Sequence, residues 1–241
     1  MRRTLVIAGA VLAVLVIGGA GATYAYFFSG LRTAPKPLAL TSPSPASTPS
    51  ATITTPGSLA GKWTVGSGSI VGYRVREQFV GQSSPHEAVA QTSDVSGGLT
   101  LAQASSGLTA SDINFTAQVG SLKSVDSVAG FNVTNRDRIV SNTLQVARFP
   151  TASFQAASSA VPAELVSGRQ VTLNVPGKLT VHGVTRDATV AVTVQPAGDR
   201  AQVTGQVKID MTDFGIQPPQ VGFTEVESAT TIEFQLLLAR S

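Results

Sequence analysis

Two histidines, His86 and His182, are the only imidazoles in this 241-residue chain. They are the first place to look for proton transfer or metal ligation. They lie far apart and lack the clustered His, Asp or Glu companions that several converging ligands require. His182 sits between Val181 and Gly183 on the polar parity of a strand, which predicts a turn-side or solvent-facing ring. Arg136-Asp137-Arg138 offers different chemistry. A guanidinium next to a carboxylate suits a phosphate or lipid head group, and equally suits an ion pair that only fixes a turn. Asp210 and Asp213, ahead of Phe214-Gly215, read as turn residues bonding nearby backbone N–H groups. Glu225 and Glu227 lie beside a turn and are expected in solvent. Serines are abundant, but none occupies a Gly-x-Ser-x-Gly elbow, and there is no phosphate-cradling glycine loop. The chain contains no cysteine, which excludes disulfides, thiolate metal sites and a thiol nucleophile. The expectation is a binding protein, not an enzyme, that uses no cofactor.

Whatever these residues do must be positioned by strands. Val71, Tyr73, Val75 and Phe79 share one parity and Arg74 and Arg76 the other, with Glu77 interrupting the apolar face. Val95, Gly97, Leu99 and Leu101 form a second face, with a bulge expected at Gly97-Gly98. Ile113, Phe115, Ala117 and Val119 form a third, and a strand follows near Thr151–Ala157. Val171, Leu173 and Val175 run into Leu179 and Val181. A glycine-centred turn then leads to Val190, Val192 and Val194. Val203 to Met211 and Ile232 to Leu238 complete about eight strands. One short helix is predicted over Arg136–Val146. Long alternating strands without helical crossovers imply an antiparallel sheet. Eight of them are enough to close into a barrel, all-β, either filled or able to hold a small ligand. A β-sandwich shares the same pattern.

The N-terminal quarter differs. An uncharged run extends from Leu5 to Phe28, and as a helix it would span about 36 Å, enough to cross a hydrocarbon core. Residues 1–28 are therefore expected to be a single-pass transmembrane anchor that leaves the C-terminal part extracytoplasmic. A cleaved export signal ending near Ala22 is the alternative. Residues 29–60 read as a disordered Pro/Ser/Thr-rich linker, and 61–241 as the folded domain. Arg2, Arg3, Arg32 and Lys36 all precede Gly61. Removing these four from 17 Lys+Arg leaves 13 against all 14 Asp+Glu, a net charge of −1. The basic balance thus belongs to the membrane-flanking segment, and nucleic acid is an unsuitable partner for the domain.

Several blocks carry a resemblance. Gly177-Lys178-Leu179-Thr180-Val181-His182-Gly183-Val184-Thr185 is similar to the signature of the YceI-like family, roughly Gly-x-Leu-Thr-[Ile/Val]-x-Gly-Val-[Thr/Lys]. Trp63-Thr64-Val65 with Ser69–Val75 resembles that family's opening strand, and Thr92–Gly97 its next segment. Asn135-Arg136-Asp137-Arg138 followed by Arg148-Phe149-Pro150-Thr151-Ala152-Ser153-Phe154 resembles its Arg-Asp and Phe-Pro element. Ile209–Ile216 resembles its strand ending in Asp-Phe-Gly. Five blocks in order over about 180 residues agree with one another. The sequence departs from the family after the Arg-Asp pair, where it reads Arg138-Ile139-Val140 and is shorter and less aromatic.

The resemblance implies an eight-stranded lipocalin-like barrel whose apolar interior binds a polyisoprenoid or a similar long-chain amphipathic lipid. On the alternating faces, the lining would come from Tyr73, Phe79, Ile113, Phe115, Phe154, Leu173, Val181, Val190, Val192, Val207, Ile209, Phe234 and Leu236. Arg136 and Asp137 would form a polar handle. A solid barrel needs the same apolar residues for its core. The alternation therefore leaves open a filled structural or adhesion domain presented on a stalk.

Overall fold

The structure is a computed structural model that describes residues 32–41, 59–79, 85–105, 107–128, 133–222 and 224–241. Its strands are β1 (Arg32–Thr33), β2 (Gly61–Val65), β3 (Ile70–Phe79), β4 (His86–Thr92), β5 (Val95–Ala104), β6 (Gly107–Gln118), β7 (Lys123–Ser124), β8 (Ser127–Val128), β9 (Thr151–Val161), β10 (Val171–Val181), β11 (Val184–Ala197), β12 (Arg200–Asp210), β13 (Gln220–Val221) and β14 (Thr224–Arg240). The helices are α1 (Val133–Thr143) and a single turn, α2 (Ala163–Val166).

Eight antiparallel staves close into a barrel. β2 and β3 act as one bent stave and β4 and β5 as its neighbour, with β3 on β4 and β2 on β5. The ring continues through β6, β9, β10, β11 and β12 to β14. β14 closes it by pairing with β12 on one side and with β3 and β2 on the other. Consecutive staves are neighbours throughout, and closure leaves no long free edge in the ring. The bend between β2 and β3 is stapled to β14. The Ser69 hydroxyl donates to Gly66 O at 2.8 Å and accepts from the Leu237 amide at 3.0 Å, while the Gly66 amide donates to Leu237 O at 2.7 Å.

The bulge expected at Gly97-Gly98 is present as a register shift between β5 and β6. A Cβ on Gly98 would lie 2.1 Å from Trp63 O, so the backbones of β2 and β5 approach more closely there than a side chain permits. The helix predicted over Arg136–Val146 instead spans Val133–Thr143. Gln145, with φ at 48°, turns the chain left-handed and ends the helical run.

One end of the barrel is covered by α1, the β10–β11 turn and the 3₁₀ turn Met211–Phe214; this end is the mouth. The other end is packed by Leu59 and Leu165 and forms the floor. The sole tryptophan, Trp63, is 2% exposed near the floor, and its indole donates to Leu59 O at 2.9 Å.

The expected anchor, residues 1–28, lies outside the described residues. Among the described residues no helix is long and apolar enough to cross a membrane. Within the segment read as a spacer, residues 32–41 lie against the barrel. Arg32 and Thr33 pair with Val128 and Ser127, and the Leu38 amide donates to Glu233 Oε2 at 3.2 Å. Composition signals a lack of core-forming residues, but it is blind to a backbone that seats itself on a ready-made surface.

Candidate functional site

The alternation of each stave sends one set of side chains inward, and these enclose an open interior. A floor chamber of about 200 Å³ is lined almost wholly by carbon, with Trp63, Leu101, Ile113, Phe115, Phe154 and Phe234 among its walls. A mouth chamber of about 620 Å³ lies above it, bounded by Tyr73, Phe79, Val181 and Ile209 from the staves and by Ile139, Val140 and Leu144 from α1 and the turn after it. Val71, Ala117, Ala152 and Ile232 border both chambers, so the two meet at a waist that includes two alanines. The remaining positions expected on the lining, Leu173, Val190, Val192, Val207 and Leu236, stand on the wall of the floor chamber. The family element that is shorter here still reaches the interior through α1.

Two glycines set the width of the floor chamber. A Cβ on Gly205 would lie 2.5 Å from the Phe234 ring, and one on Gly177 would lie 2.5 Å from the Phe154 ring. Both rings therefore lie over neighbouring strand backbone, which leaves the bore open.

Polarity is concentrated at the mouth. Glu77, the residue that interrupts the apolar face of β3, points inward and its Oε2 accepts from Arg136 Nη2 at 3.0 Å. Arg136 Nη1 donates to both oxygens of Asp126, at 2.7 and 2.8 Å. Asp126 also meets His86 Nε2 at 2.7 Å and accepts from the Val89 amide at 3.1 Å. All four side chains are buried or nearly so. Burial opposes the Asp126 carboxylate, but hydrogen bonds from His86 and Arg136 outweigh it and hold its pKa down at about 2. Burial raises Glu77, with Arg136 and His86 pulling the other way. Burial also pushes the Tyr73 phenol well above its ordinary value, which keeps it neutral beside Arg136.

Arg136 and Asp137 are not paired with one another. Arg136 borders the mouth chamber, whereas Asp137 turns away and accepts from the Ser124 amide at 2.9 Å. Of the two handle residues, Arg136 and not Asp137 reaches the interior. Asp126 carries no sequence signal of its own, and His86 stands out in the sequence only as one of two histidines, with nothing to link it to Asp126. Glu77 does carry a signal: a carboxylate on an otherwise apolar face.

His182 occupies the β10–β11 turn itself, with φ at 51° ahead of Gly183 at 74°, the two-residue hairpin geometry in which both central residues are left-handed. Its ring packs edge-on to Phe149 at 4.6 Å, and Nδ1 lies 3.2 Å from Phe214 O. It is half-buried, not solvent-facing, because the turn presses it onto the Phe-Pro element. Asp210 caps the Met211–Phe214 turn by accepting from the Thr212 amide at 2.9 Å. Among the described residues no group of three or more His, Cys, Asp or Glu is arranged to hold a metal ion.

A polyisoprenoid-binding domain from Saccharophagus degradans, implicated in plant cell wall breakdown, is 14% identical over 76% of this chain and 99% of its own, with a TM-score of 0.53; that likeness is one of fold. Burkholderia cenocepacia BcnA is 22% identical over 71% of this chain and 96% of its own, with a TM-score of 0.46. The Campylobacter jejuni YCEI protein is 13% identical over 61% and 83%, with a TM-score of 0.40. No curated protein matches the chain. The model of the YceI-like domain matches residues 66–238, most of the chain's length, and the chain belongs to that family.

Proposed function

We propose that this protein holds a long-chain amphipathic lipid, a polyisoprenoid or a chain of similar shape, inside its barrel, and does so outside the cytoplasm while tethered to the membrane by residues 1–28. The observation that carries the reading is the pair of chambers that meet at one waist, carbon-lined below and polar only at the mouth. A prenyl chain makes no hydrogen bonds, so its affinity comes from apolar burial. At about 25 cal/mol per Å², burying on the order of 400 Å² supplies about 10 kcal/mol before the costs of association. The mouth chamber also lies within the roughly 300–1,000 Å³ range of small-molecule sites. The polar end of the lipid rests near Arg136 and Tyr73, where a neutral phenol and a guanidinium border the opening. The likeness of fold to a polyisoprenoid-binding domain from Saccharophagus degradans supports the choice of a polyisoprenoid. Cleavage near Ala22 would convert the tethered carrier into a secreted one without altering the barrel. The protein acts by sequestering or passing on its ligand, with no chemical step and no cofactor.

The test is organic extraction of the detergent-purified full chain, followed by mass spectrometry. A stoichiometric long-chain lipid is expected. Empty protein, even after incubation with prenyl alcohols and isoprenoid quinones, overturns the reading.

A further inference from the structure

Residues 32–41 run down the outside of the barrel from mouth to floor. β1 pairs with β8 on the same excursion that carries α1, at the mouth. Leu38 then reaches Glu233 on the outer face of β14, and Gln202 Nε2 donates to Thr41 Oγ1 at 3.0 Å close to the β11–β12 turn at the floor. Beneath this strap lies an ion pair, Arg74 Nε to Glu233 Oε2 at 2.8 Å, with Glu233 only 2% exposed although it faces away from the bore. Arg74 also reaches Glu87 at 2.8 Å. Arg74 Nη2 and Glu233 Oε1 have no hydrogen-bond partner among the described residues. An outward-facing pair is costly to bury, so its burial marks the strap as a seated part of the fold.

The strap changes the geometry of the tether. Unseated, residues 29–60 would be a coil reaching about 30 Å, with the barrel free to tumble. Seated, the end of the uncharged run at Phe28 lies four residues from Arg32, a separation of at most about 14 Å. The chain then leaves the membrane beside the mouth. The described residues of the lip next to β1, 119–128 and 133–150, expose Lys123, Arg138 and Arg148 and no carboxylate, since Asp126 is buried and Asp137 is partly so. The other side of the mouth exposes three carboxylates, Asp213, Glu225 and Glu227, together with Arg186, whose Nε donates to Asp213 O at 3.0 Å.

We infer that the strap holds the barrel mouth-down, with the α1 lip resting on the anionic head groups of the bilayer in which the chain is anchored. A ligand then passes between bilayer and bore without crossing bulk water. This inference rests on the membrane-anchored reading of residues 1–28.

The chain has no cysteine, so single thiols report cleanly. Full-length Asn142→Cys, on the exposed side of α1, and Ala197→Cys, at the floor, would each carry a thiol-reactive fluorophore. Both would be reconstituted into phosphatidylglycerol–phosphatidylcholine vesicles containing a lipid with a nitroxide head group. Quenching at least threefold stronger at position 142 than at 197 is expected. Adding Leu38→Pro, which removes the amide that reaches Glu233, is expected to bring the two positions toward equality. Equal quenching in the unaltered strap, or stronger quenching at 197, overturns the orientation. A difference that persists with Leu38→Pro overturns the role of the strap. Flotation of the same samples separates the two layers of the argument. Protein that floats with the vesicles but is quenched equally at both sites refutes the orientation alone, whereas protein that fails to float refutes the anchor and this inference with it.

Discussion

Glu77 of β3 and Arg136 of α1 meet at 3.0 Å inside the mouth, and this bond joins the barrel wall to the helix that covers it. Arg136 also holds Asp126, so one guanidinium serves two carboxylates removed from water. Arg136→Ala leaves both without their main cation. Removing one partner from such a site costs about 3–5 kcal/mol, so urea unfolding at neutral pH is expected to show a loss of about 3 kcal/mol. Arg138→Ala, one residue away and exposed, should stay within about 0.5 kcal/mol of the parent. Equal effects of the two changes would contradict the network.

The same cluster fixes the acid response. Asp126 falls from 3.8 to about 2 on folding. A depressed folded-state pKa adds stability that is complete above the unfolded value and is lost as pH falls through the folded one, here between about pH 4 and pH 2. The shift corresponds to about 2 kcal/mol. Glu77 is raised, so its contribution has the opposite sign: it is present below its unfolded pKa and lost as pH rises through the folded one. Unfolding free energies followed from pH 5 to pH 2 should therefore drop more steeply in the parent than in Asp126→Asn, by about 2 kcal/mol over that window. Parallel curves would contradict the assignment.

Trp63 is a built-in reporter of how deep a ligand reaches. It is the sole tryptophan and stands on the wall of the floor chamber. A prenyl-like chain brominated at its far end is expected to quench its emission by more than half, while one brominated beside the head group leaves it bright. Ala152→Leu narrows the waist and should abolish far-end quenching while binding persists in the mouth chamber. Undiminished quenching in that variant would show that the chain takes another route.

Gly205→Ala is expected to destabilise the fold by about 1–3 kcal/mol, since its methyl would meet both the Phe234 ring and Ala191 O. Thermal or urea unfolding checks this. Adding Phe234→Leu should recover part of the loss by freeing the ring's volume, and full additivity of the two changes would show that the ring does not pack over the glycine.

The eight staves and the inward set were legible because a two-residue period assigns faces without reference to the rest of the chain. All thirteen residues expected on the lining stand on a chamber wall. Their contact with a lipid is what the Trp63 experiment addresses. Whether the barrel was hollow was not legible, because the same valines serve a core or a cavity. The decisive features, Gly205 under Phe234 and Ala152 at the waist, are absences of side chain. The mouth network was hidden because Glu77, His86, Asp126 and Arg136 come from four separate segments, and only the fold converges them. The strap was hidden for a related reason. Residues 34–41 look like spacer, and what seats them is an ion pair formed by Arg74 and Glu233, 159 residues apart.

The Ser69 staple joins the first stave to the last. β14, the most C-terminal of the eight, is also the one that seals the ring on both sides. Until residues 224–240 have emerged from the ribosome, the other seven can form only an open sheet, with its carbon-lined face uncovered and two bare edges. Closure therefore waits for the end of the domain, and the long sequence separation of the β2–β14 contacts makes it slow. During that interval the unfinished sheet is exposed to other chains, and a lipid that covers its face early would assist its assembly.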